Sequence, residues 1–251
     1  MKIRFLGAHN TETSTAGLMC LLLDGEIALD AGSLTSHLSL AQQLALKGVL
    51  VTHPHYDHMR DLPMLAMNCF LNGGTTHIYG SRAVKDALAL HLLNGKIYSN
   101  FFDRPVMDFH VTEPNVAFTV GGREMTPVSV HHSVPATGYL VKTEGYSFFY
   151  AGDTGPGLSK CWQRISPELL IIEVTASNRF NDFGRDSKHL TPELLKDELV
   201  AFKEVRGYLP RVVTVHMNPS LEDEIAVELK EVATDLRCRI SLAHEGLELE
   251  V

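Results

Sequence analysis

The first half of the chain alternates short apolar runs with glycine-containing turns and amphipathic stretches, a pattern typical of strands interleaved with helices. The turn Asp24-Gly25 separates two of the early runs, which predicts a β-meander at the start. The predicted strands are Lys2 to Leu6, Leu18 to Leu23, Glu26 to Leu29, Val49 to Thr52 and Thr76 to Tyr79, and the predicted helices are Ser36 to Ala45, Asp61 to Leu71 and Arg82 to Leu92.

The second half contains another block of strands with its own helices. The predicted strands are Val106 to Val111, Ala117 to Val120, Glu124 to Val130, Gly138 to Thr143, Ser147 to Tyr150, a run from Leu169, Val212 to Val215 and Leu247 to Val251, and the predicted helices are Pro192 to Lys203 and Leu221 to Ala233. Two such blocks indicate an α+β fold in which two sheets pack face to face with helices outside. No repeat or low-complexity linker divides the chain, so one domain over residues 1–251 is expected.

Composition narrows the class of protein. The 251 residues are 45% hydrophobic and 21% charged, which suffices for a full globular core. The net charge of −8 is spread along the chain, which argues against a nucleic-acid surface and favours small substrates. Four separated cysteines without a C-x-x-C pair indicate a reduced, cytoplasmic setting. No run has the length of a signal peptide or a membrane span, so we expect a soluble protein without membrane contact.

The stretch THPHYDH directly follows an apolar run and packs three histidines and an aspartate into six positions. Imidazoles and carboxylates suit zinc, manganese or iron. In an extended segment His53 and His55 project to the same side and can hold one ion. Asp57 and His58 lie past the bend into the next helix, where they point towards a second ion. Two metals are therefore expected.

Two metals need more ligands than this stretch supplies, and candidates occur at the ends of other apolar strands. They are His131-His132 after one strand, Asp153 after a second and His216 after a third. A carboxylate can bridge two cations, and the glycines at 152 and 155 would let the backbone approach closely. Asp153 is thus the predicted bridge.

These motifs carry a family resemblance. The stretches THPHYDH, HHSVPATGYLV, FFYAGDTGP and VVTVHMNP resemble the successive metal motifs of the metallo-β-lactamase-fold hydrolases. The stretches IIEVTAS and SKHLTPELL make the chain similar to the branch that contains class II 3′,5′-cyclic-nucleotide phosphodiesterases and the tRNA 3′-processing enzyme RNase Z. The resemblance implies a four-layer αβ/βα sandwich with two divalent metals at the sheet edge, zinc being preferred and manganese or iron the alternatives.

The resemblance also assigns the ligands and the catalytic groups. One metal would be held by His53, His55 and His132, the second by Asp57, His58 and His216, and Asp153 would bridge them. His132 is preferred over His131 because in the family the ligand directly precedes a small-Val-Pro segment. Glu173 and His189 match motifs that touch the active site in the related ribonucleases, which implies that Glu173 orients His189.

The implied reaction is hydrolysis of a small phosphodiester, with 3′,5′-cyclic nucleotides as the leading substrates. A hydroxide shared by the two metals would attack phosphorus. Asp57 is the candidate acceptor of its proton, and His189 the candidate donor to the departing sugar oxygen.

Three alternatives stay open, namely tRNA 3′ processing, thioester or lactone hydrolysis, and a non-hydrolytic diiron redox module. The first would need a basic, glycine-rich arm, which residues 154–190 do not contain. Relatives of the third type usually have a glutamate where this chain has His55. The ending Ala243-His244-Glu245 departs from the Ala-x-Asp pattern of the family, so no role is assigned to His244. A homodimer remains open because many relatives dimerise.

Overall fold

The computed structural model describes residues 1–143 and 145–251, whose backbone forms two seven-stranded sheets with helices on their outer faces. The strands are β1 Lys2–Gly7, β2 Cys20–Leu23, β3 Ile27–Leu29, β4 Gly48–Leu50, β5 Thr76–Gly80, β6 Met107–Val111, β7 Phe118–Val120, β8 Arg123–Val130, β9 Ala136–Thr143, β10 Tyr146–Tyr150, β11 Leu169–Glu173, β12 Arg211–Val215, β13 Ile240–Leu242 and β14 Glu248–Glu250. The helices are α1 Leu34–His37, α2 Leu40–Leu44, α3 Tyr56–Met59, α4 Leu62–Leu71, α5 Arg82–Ala87, α6 Ser159–Trp162, α7 Asn181–Ser187, α8 Pro192–Arg206 and α9 Glu222–Leu236.

Both sheets are mixed. The first has the order β14-β1-β2-β3-β4-β5-β6 and the second the order β13-β12-β11-β10-β9-β8-β7. In the first sheet, pairing changes from antiparallel to parallel at β3, and in the second it is antiparallel from β7 to β10 and parallel from β10 to β13. Parallel strands need helical crossovers, which is why the helices cover the outer faces.

Three apolar layers hold the sheets and helices together. Phe5 of the first sheet and Tyr139 and Phe148 of the second belong to the layer between the sheets. A second layer packs α4 against the first sheet, and a third packs α8 and Trp162 against the second. The order helix, sheet, sheet, helix confirms the expected αβ/βα arrangement.

The predicted single helix from Ser36 to Ala45 is wrong. The chain forms two short helices there, α1 and α2, because Ser39 begins a new helix with a capping box. The Ser39 hydroxyl accepts a hydrogen bond from the Gln42 backbone N–H, and the Gln42 side chain accepts one from the Ser39 backbone N–H. The predicted helix from Arg82 to Leu92 covers α5 and a π-helical turn at Leu88–Leu92.

The apolar pattern missed α6, α7, a 3₁₀ turn at Asn178–Phe180 and β13. These elements are three to seven residues long, too short to show a period. None of the helices in the described part of the chain has both the length and the apolar character needed to cross a membrane.

Parallel pairing explains how distant segments meet. The carboxyl ends of β3 and β4 lie side by side, as do those of β10, β11 and β12. A hydrogen bond of 3.0 Å from the Thr137 N–H to the Thr52 carbonyl joins the two sheets at this edge. Residues that directly follow these strands therefore converge on one place.

Candidate metal centre

The first group of potential ligands consists of His53, His55, His132 and Asp153. One donor atom of each lies within 4.8 Å of those of the others. The Asp153 Oδ2 atom is 3.7 Å from His53 Nε2 and 3.9 Å from His132 Nε2. His55 precedes α3 in extended conformation, and its Nδ1 is 3.2 Å from His132 Nε2. These residues are the ones assigned to the first metal from sequence, together with the expected bridge.

The second group consists of Asp57, His58, His216 and again Asp153. Asp153 Oδ1 is 3.1 Å from His58 Nε2, and its Oδ2 is 3.3 Å from His216 Nε2. Asp57 Oδ2 lies 3.1 Å from His216 Nε2 and 3.5 Å from His58 Nε2. Asp153 is thus the residue shared by the two groups, with an oxygen towards each, which is the placement that a bridging carboxylate requires.

The outer nitrogens of four imidazoles are already committed to hydrogen bonds. The Nδ1 atom of His58 lies 2.8 Å from the Asp30 carboxylate, and that of His132 lies 3.0 Å from the Lys188 carbonyl, so both donate outwards. His53 and His216 contact the Thr52 and Thr175 hydroxyls in the same way, at 3.0 and 2.8 Å. In the neutral form of each ring, the Nε2 atom is therefore the lone-pair nitrogen that faces the cluster, which is the tautomer that metal ligation requires.

The interior of the cluster fits metal ions because its polar atoms lack protein partners. His53 Nε2, His58 Nε2 and Asp153 Oδ1 are buried without a hydrogen bond. A buried polar atom without a partner costs about 1–3 kcal/mol, and a cation bound among these atoms would satisfy all three. The donor set of imidazoles and carboxylates suits zinc, manganese or iron equally well, so it defines a metal site without selecting the metal.

The pKa values of three imidazoles suit this donor set. Burial lowers the pKa of His53, His55 and His132, which keeps these imidazoles in the neutral, ligating form. Burial opposes the charged form of Asp153, but His216 and His58 outweigh it and hold the pKa of Asp153 well below its usual value. Burial also opposes the charged form of His58, but Asp153 and Asp30 outweigh it and raise its pKa, a shift that a bound cation would oppose.

Asp153 reaches this position because the preceding residue has no side chain. Gly152 has φ +62°, and a Cβ atom there would lie 2.8 Å from the Thr52 methyl carbon. A larger residue would clash and strain the backbone. The glycine before the bridging carboxylate is therefore a packing requirement.

Glu173 and His189 lie beside the cluster and contact each other. Glu173 is fully buried and accepts hydrogen bonds from the Thr154 N–H, the Leu190 N–H and the Thr175 hydroxyl. Its Oε1 atom is 2.7 Å from His189 Nδ1, which leaves His189 Nε2 as the uncommitted nitrogen. The His189 ring stacks on His216 with centroids 5.4 Å apart.

Burial lowers the pKa of His189, but the charge and the hydrogen bond of Glu173 outweigh it and raise that pKa to about 9. Bound cations would oppose this shift. Glu173 holds the ring by Nδ1 in either case, because the contact between them is fixed by the buried backbone hydrogen bonds of the carboxylate. The arrangement is that of an oriented imidazole next to a metal site.

Sequence reasoning missed two polar residues that support the centre. Asp30, fully buried, accepts from the Tyr150 hydroxyl at 2.7 Å as well as from Thr52 and His58. Thr175 bonds to Glu173 and His216. The sequence did contain one indication for Asp30. Like Asp153, it is an aspartate at the end of an apolar strand and next to an Ala-Gly pair.

Asp153 and His216 also form a third group with Glu173 and His189, and the remaining histidines lie outside all three groups. His131 contacts the Pro156 carbonyl and is exposed, whereas His132 points inward. His244 is exposed, and its Nδ1 contacts the neighbouring Glu245 carbonyl.

The Glu245 carboxylate accepts hydrogen bonds from His9 Nδ1 at 2.8 Å and from the Gly17 and Ala8 N–H groups at 2.7 and 3.2 Å. The Ala8 carbonyl in turn accepts from the His216 N–H, so Glu245 supports the segment beside the metal ligand.

We expect Glu245→Gln to lower the free energy of unfolding at pH 7 by about 1–3 kcal/mol, because three donors lose a charged acceptor. Burial raises the pKa of Glu245, but hydrogen bonds from His9 and Gly17 outweigh it and lower that pKa to about 2. Since the folded-state pKa is depressed, this stabilisation is present above pH 4.5 and is lost towards pH 2. Urea unfolding at several pH values tests this, with the exposed Glu248→Gln as control. A constant difference between parent and variant across this range would contradict it.

Two facing sheets with a paired His/Asp cluster at their common edge define a metallo-β-lactamase-type protein. A family model described as "Beta-lactamase superfamily domain" matches residues 28–217. The chain belongs to this family.

Relatives within the family are similar over part of their length. The chain is 28% identical over 189 residues to a 3′,5′-cyclic-nucleotide phosphodiesterase of Aliivibrio fischeri, covering 64% of this chain and 55% of the relative. It is 32% identical over 156 residues to a ribonuclease Z of Thermosynechococcus vestitus, covering 58% of this chain and 37% of the relative. The structure of unliganded yeast PDE1 aligns with a TM-score of 0.85 at 17% identity over 100% of this chain and 99% of that one, which shows the shared fold.

Proposed function

We propose that this chain is a dinuclear-metal phosphodiesterase that hydrolyses 3′,5′-cyclic nucleotides, cyclic AMP or cyclic GMP, to nucleoside 5′-monophosphates. The observation that carries the proposal is the pairing of Glu173 with His189 beside the metal cluster, at the mouth of an apolar cleft. The names of the phosphodiesterase and ribonuclease Z relatives support the same bond type. The preference for a small substrate comes from the cleft and from the charge of the chain.

The cleft has a volume of about 320 Å³ and a wall formed by Phe180, Phe183 and Leu221. Phe183 is 55% exposed, so a bound ligand can contact its side chain. Asn10 and Asn218 also line the cleft, and Asn10 Oδ1 is buried without a hydrogen-bond partner. An aromatic wall and an unpaired amide oxygen suit a nucleobase, which stacks by its face and donates by its edge. His189 lines the same cleft, so a base bound there would place its cyclic phosphate near the cluster.

Each residue has a part in the proposed reaction. Two cations held by the ligand groups would lower the pKa of water and offset negative charge on the phosphoryl oxygens. Asp57, whose side chain is 23% exposed, is placed to accept the proton of the attacking water. His189 donates a proton or hydrogen bond to the departing sugar oxygen, and Glu173 fixes the His189 ring through Nδ1. Asp30 and Thr175 hold His58 and His216 in the ligating tautomer.

Processing of tRNA is the second candidate, since five of the ribonuclease Z relatives are about 30% identical to this chain. Two features favour the smaller substrate. Residues 154–190 form strand β11 of the second sheet and short elements beside it, without a protruding arm. The net charge of −8 also opposes binding of a long phosphate backbone.

The test is a kinetic screen of purified, metal-analysed protein against cyclic AMP, cyclic GMP, bis(p-nitrophenyl) phosphate, a precursor tRNA and a thioester. We expect the highest kcat/KM among the natural substrates for a cyclic nucleotide. Faster cleavage of the tRNA would support ribonuclease activity instead, and faster cleavage of the thioester would overturn the phosphodiesterase proposal.

We expect Phe183→Ala to raise the KM for cyclic AMP by roughly 5- to 150-fold, because stacking of a base on an aromatic ring contributes about 1–3 kcal/mol. The effect on bis(p-nitrophenyl) phosphate, which has no nucleobase, should be much smaller. Leu90→Ala is the matched control, since Leu90 is 65% exposed and does not line the cleft. Equal changes in KM for the two substrates would show that Phe183 does not contact the base.

A further inference from the structure

A second cluster of potential metal ligands lies on the first sheet, away from the centre described above. It consists of His77 on β5 and Asp108 and His110 on β6. His77 is paired with Asp108 in the parallel register, and His110 is two residues further along the same strand. Because side chains alternate along a strand, all three point to one face. The cluster shares no residue with the groups around Asp153.

The position of the cluster separates it from the dinuclear centre. Val49 lies opposite Ile78 in the register of β4 and β5, so His77 lies near Gly48. Tyr79 lies opposite Leu50 and His110 opposite Tyr79, so even His110 is two strands, roughly 9–10 Å, to the side of the strand that leads to His53. A ligand at this cluster would not contact a metal held by His53.

The distances among the three side chains match those of ligands around one ion. Asp108 Oδ2 is 3.5 Å from His77 Nδ1 and 3.2 Å from His110 Nε2. In a tetrahedral zinc site with bonds of about 2.0–2.1 Å, neighbouring ligand atoms are about 3.3 Å apart. The two nitrogen–oxygen distances are therefore close to those around a tetrahedral cation, and the donor atoms of the two imidazoles lie within 4.8 Å of each other.

The hydrogen bonding of the cluster also supports a metal site. His110 Nε2 is buried and has no hydrogen-bond partner, although Asp108 Oδ2 is only 3.2 Å away. At that separation a hydrogen bond fails only when the N–H direction misses the oxygen. The buried Nε2 atom thus has no protein partner, and a cation bound beside Asp108 would supply one.

Neighbouring aromatic rings hold the cluster in place and leave it accessible. The His110 ring stacks on Tyr79 with centroids 4.5 Å apart and planes 15° apart, and Tyr79 stacks on Phe118 at 5.2 Å. β6 is the terminal strand of its sheet, and the side chains of His77 and His110 are each 40% exposed. Solvent therefore reaches His77 and Asp108 directly, whereas the buried His110 Nε2 atom needs a small rotation of its ring to join a metal held by the other two.

We propose that His77, Asp108 and His110 form a third, peripheral site for a divalent transition metal of the zinc type. Two imidazoles and one carboxylate with one water complete a tetrahedral shell. The bound ion would tie β6, the edge strand, to β5 and stabilise the folded state by binding to it in preference to the unfolded chain. This inference does not depend on the proposed reaction, because the site lies apart from the dinuclear centre.

The experiment is a zinc titration of protein that has been dialysed until only tightly held metal remains. We expect the parent to take up one further equivalent and its melting temperature to rise as it does so. Asp108→Asn and His110→Gln should each abolish the further uptake and the rise, while leaving the tightly held metal and the turnover of bis(p-nitrophenyl) phosphate unchanged. His91→Gln, which alters an exposed histidine outside the three donors, should behave like the parent.

Cobalt(II) provides a second measurement that does not depend on stability. Added to the dialysed parent, it should produce the visible absorption of a tetrahedral site, and this increment should be absent from both variants. If the variants bind the added metal as the parent does, or if the parent binds none, the cluster is only an ion pair of histidine and aspartate and the proposal is wrong. Circular dichroism of the two variants establishes that each is folded.

Discussion

Asp153→Ala should lose most of the metal and nearly all activity, the largest effect that we expect of any single substitution in the chain. Asp153 is 2% exposed, and its two oxygens lie between 3.1 and 3.9 Å from the Nε2 atoms of His53, His58, His132 and His216. Removing it leaves each metal group without its shared anionic ligand. Because a bound metal lowers the pKa of water from 15.7 to about 7, metal loss should reduce turnover at neutral pH by at least about 10³-fold.

The matched control is His131→Ala. His131 is adjacent in sequence to the ligand His132 but contacts the Pro156 carbonyl and does not belong to either metal group. After dialysis, elemental analysis should find close to two metal equivalents per chain in the parent and in His131→Ala, and well below one in Asp153→Ala. Equal losses in the two variants would mean that the doubled histidines are assigned the wrong way round. An active parent with one metal would contradict the dinuclear centre.

The positions of the ligands could be predicted because they follow from strand order. His53, Asp153 and His216 each come directly after an apolar strand, and parallel neighbours place those ends at one edge. The sequence pattern does not predict that β10 pairs with β11 and that β11 pairs with β12. The resemblance to a known family supplied that information, and the geometry brings together the residues that it named.

The supporting residues could not be predicted in the same way. Asp30 contacts the Tyr150 hydroxyl across 120 positions of sequence, and Glu245 contacts Gly17 across 228. A local sequence pattern cannot predict contacts between residues so far apart in the chain, because these contacts depend on how the two sheets face each other. Similarly, the acceptor that sets the His132 tautomer is the Lys188 backbone carbonyl. Every residue has such a carbonyl, so the residue type at position 188 gives no indication of this contact. The sequence therefore predicts which residues are candidate ligands better than it predicts how their rings are oriented.

The fold alone does not decide the reaction. The same fold can host unrelated chemistries, so the function has to be argued from the residues of the site. What separates hydrolysis of a phosphodiester from other uses of the metals is the group that assists the departing oxygen. We propose that His189, whose Nδ1 contacts Glu173 and whose side chain lines the cleft, is this group.

His189→Ala should keep both metals and the fold yet lose roughly 10²- to 10⁴-fold in turnover of cyclic AMP, the usual contribution of a positioned acid or base. The metals should stay because His189 belongs to neither of the two groups assigned to the metals; it joins Asp153 only in a third group, with Glu173 and His216. The Lys188 carbonyl that accepts from His132 is a backbone atom, so the substitution does not remove it. Elemental analysis and circular dichroism establish these two conditions before the rates are compared.

The loss should depend on the leaving group, and this dependence separates a proton donor from a residue that merely packs against the cluster. The 3′-alkoxide of cyclic AMP is a poor leaving group and needs protonation, whereas p-nitrophenoxide departs without help. The rate ratio of parent to His189→Ala should therefore be large for cyclic AMP and small for bis(p-nitrophenyl) phosphate. Equal losses on both substrates with metal retained would assign His189 a positioning role. A variant that hydrolyses cyclic AMP at the parent rate would remove the residue from the reaction and leave the phosphodiesterase proposal supported only by the metal cluster and the cleft.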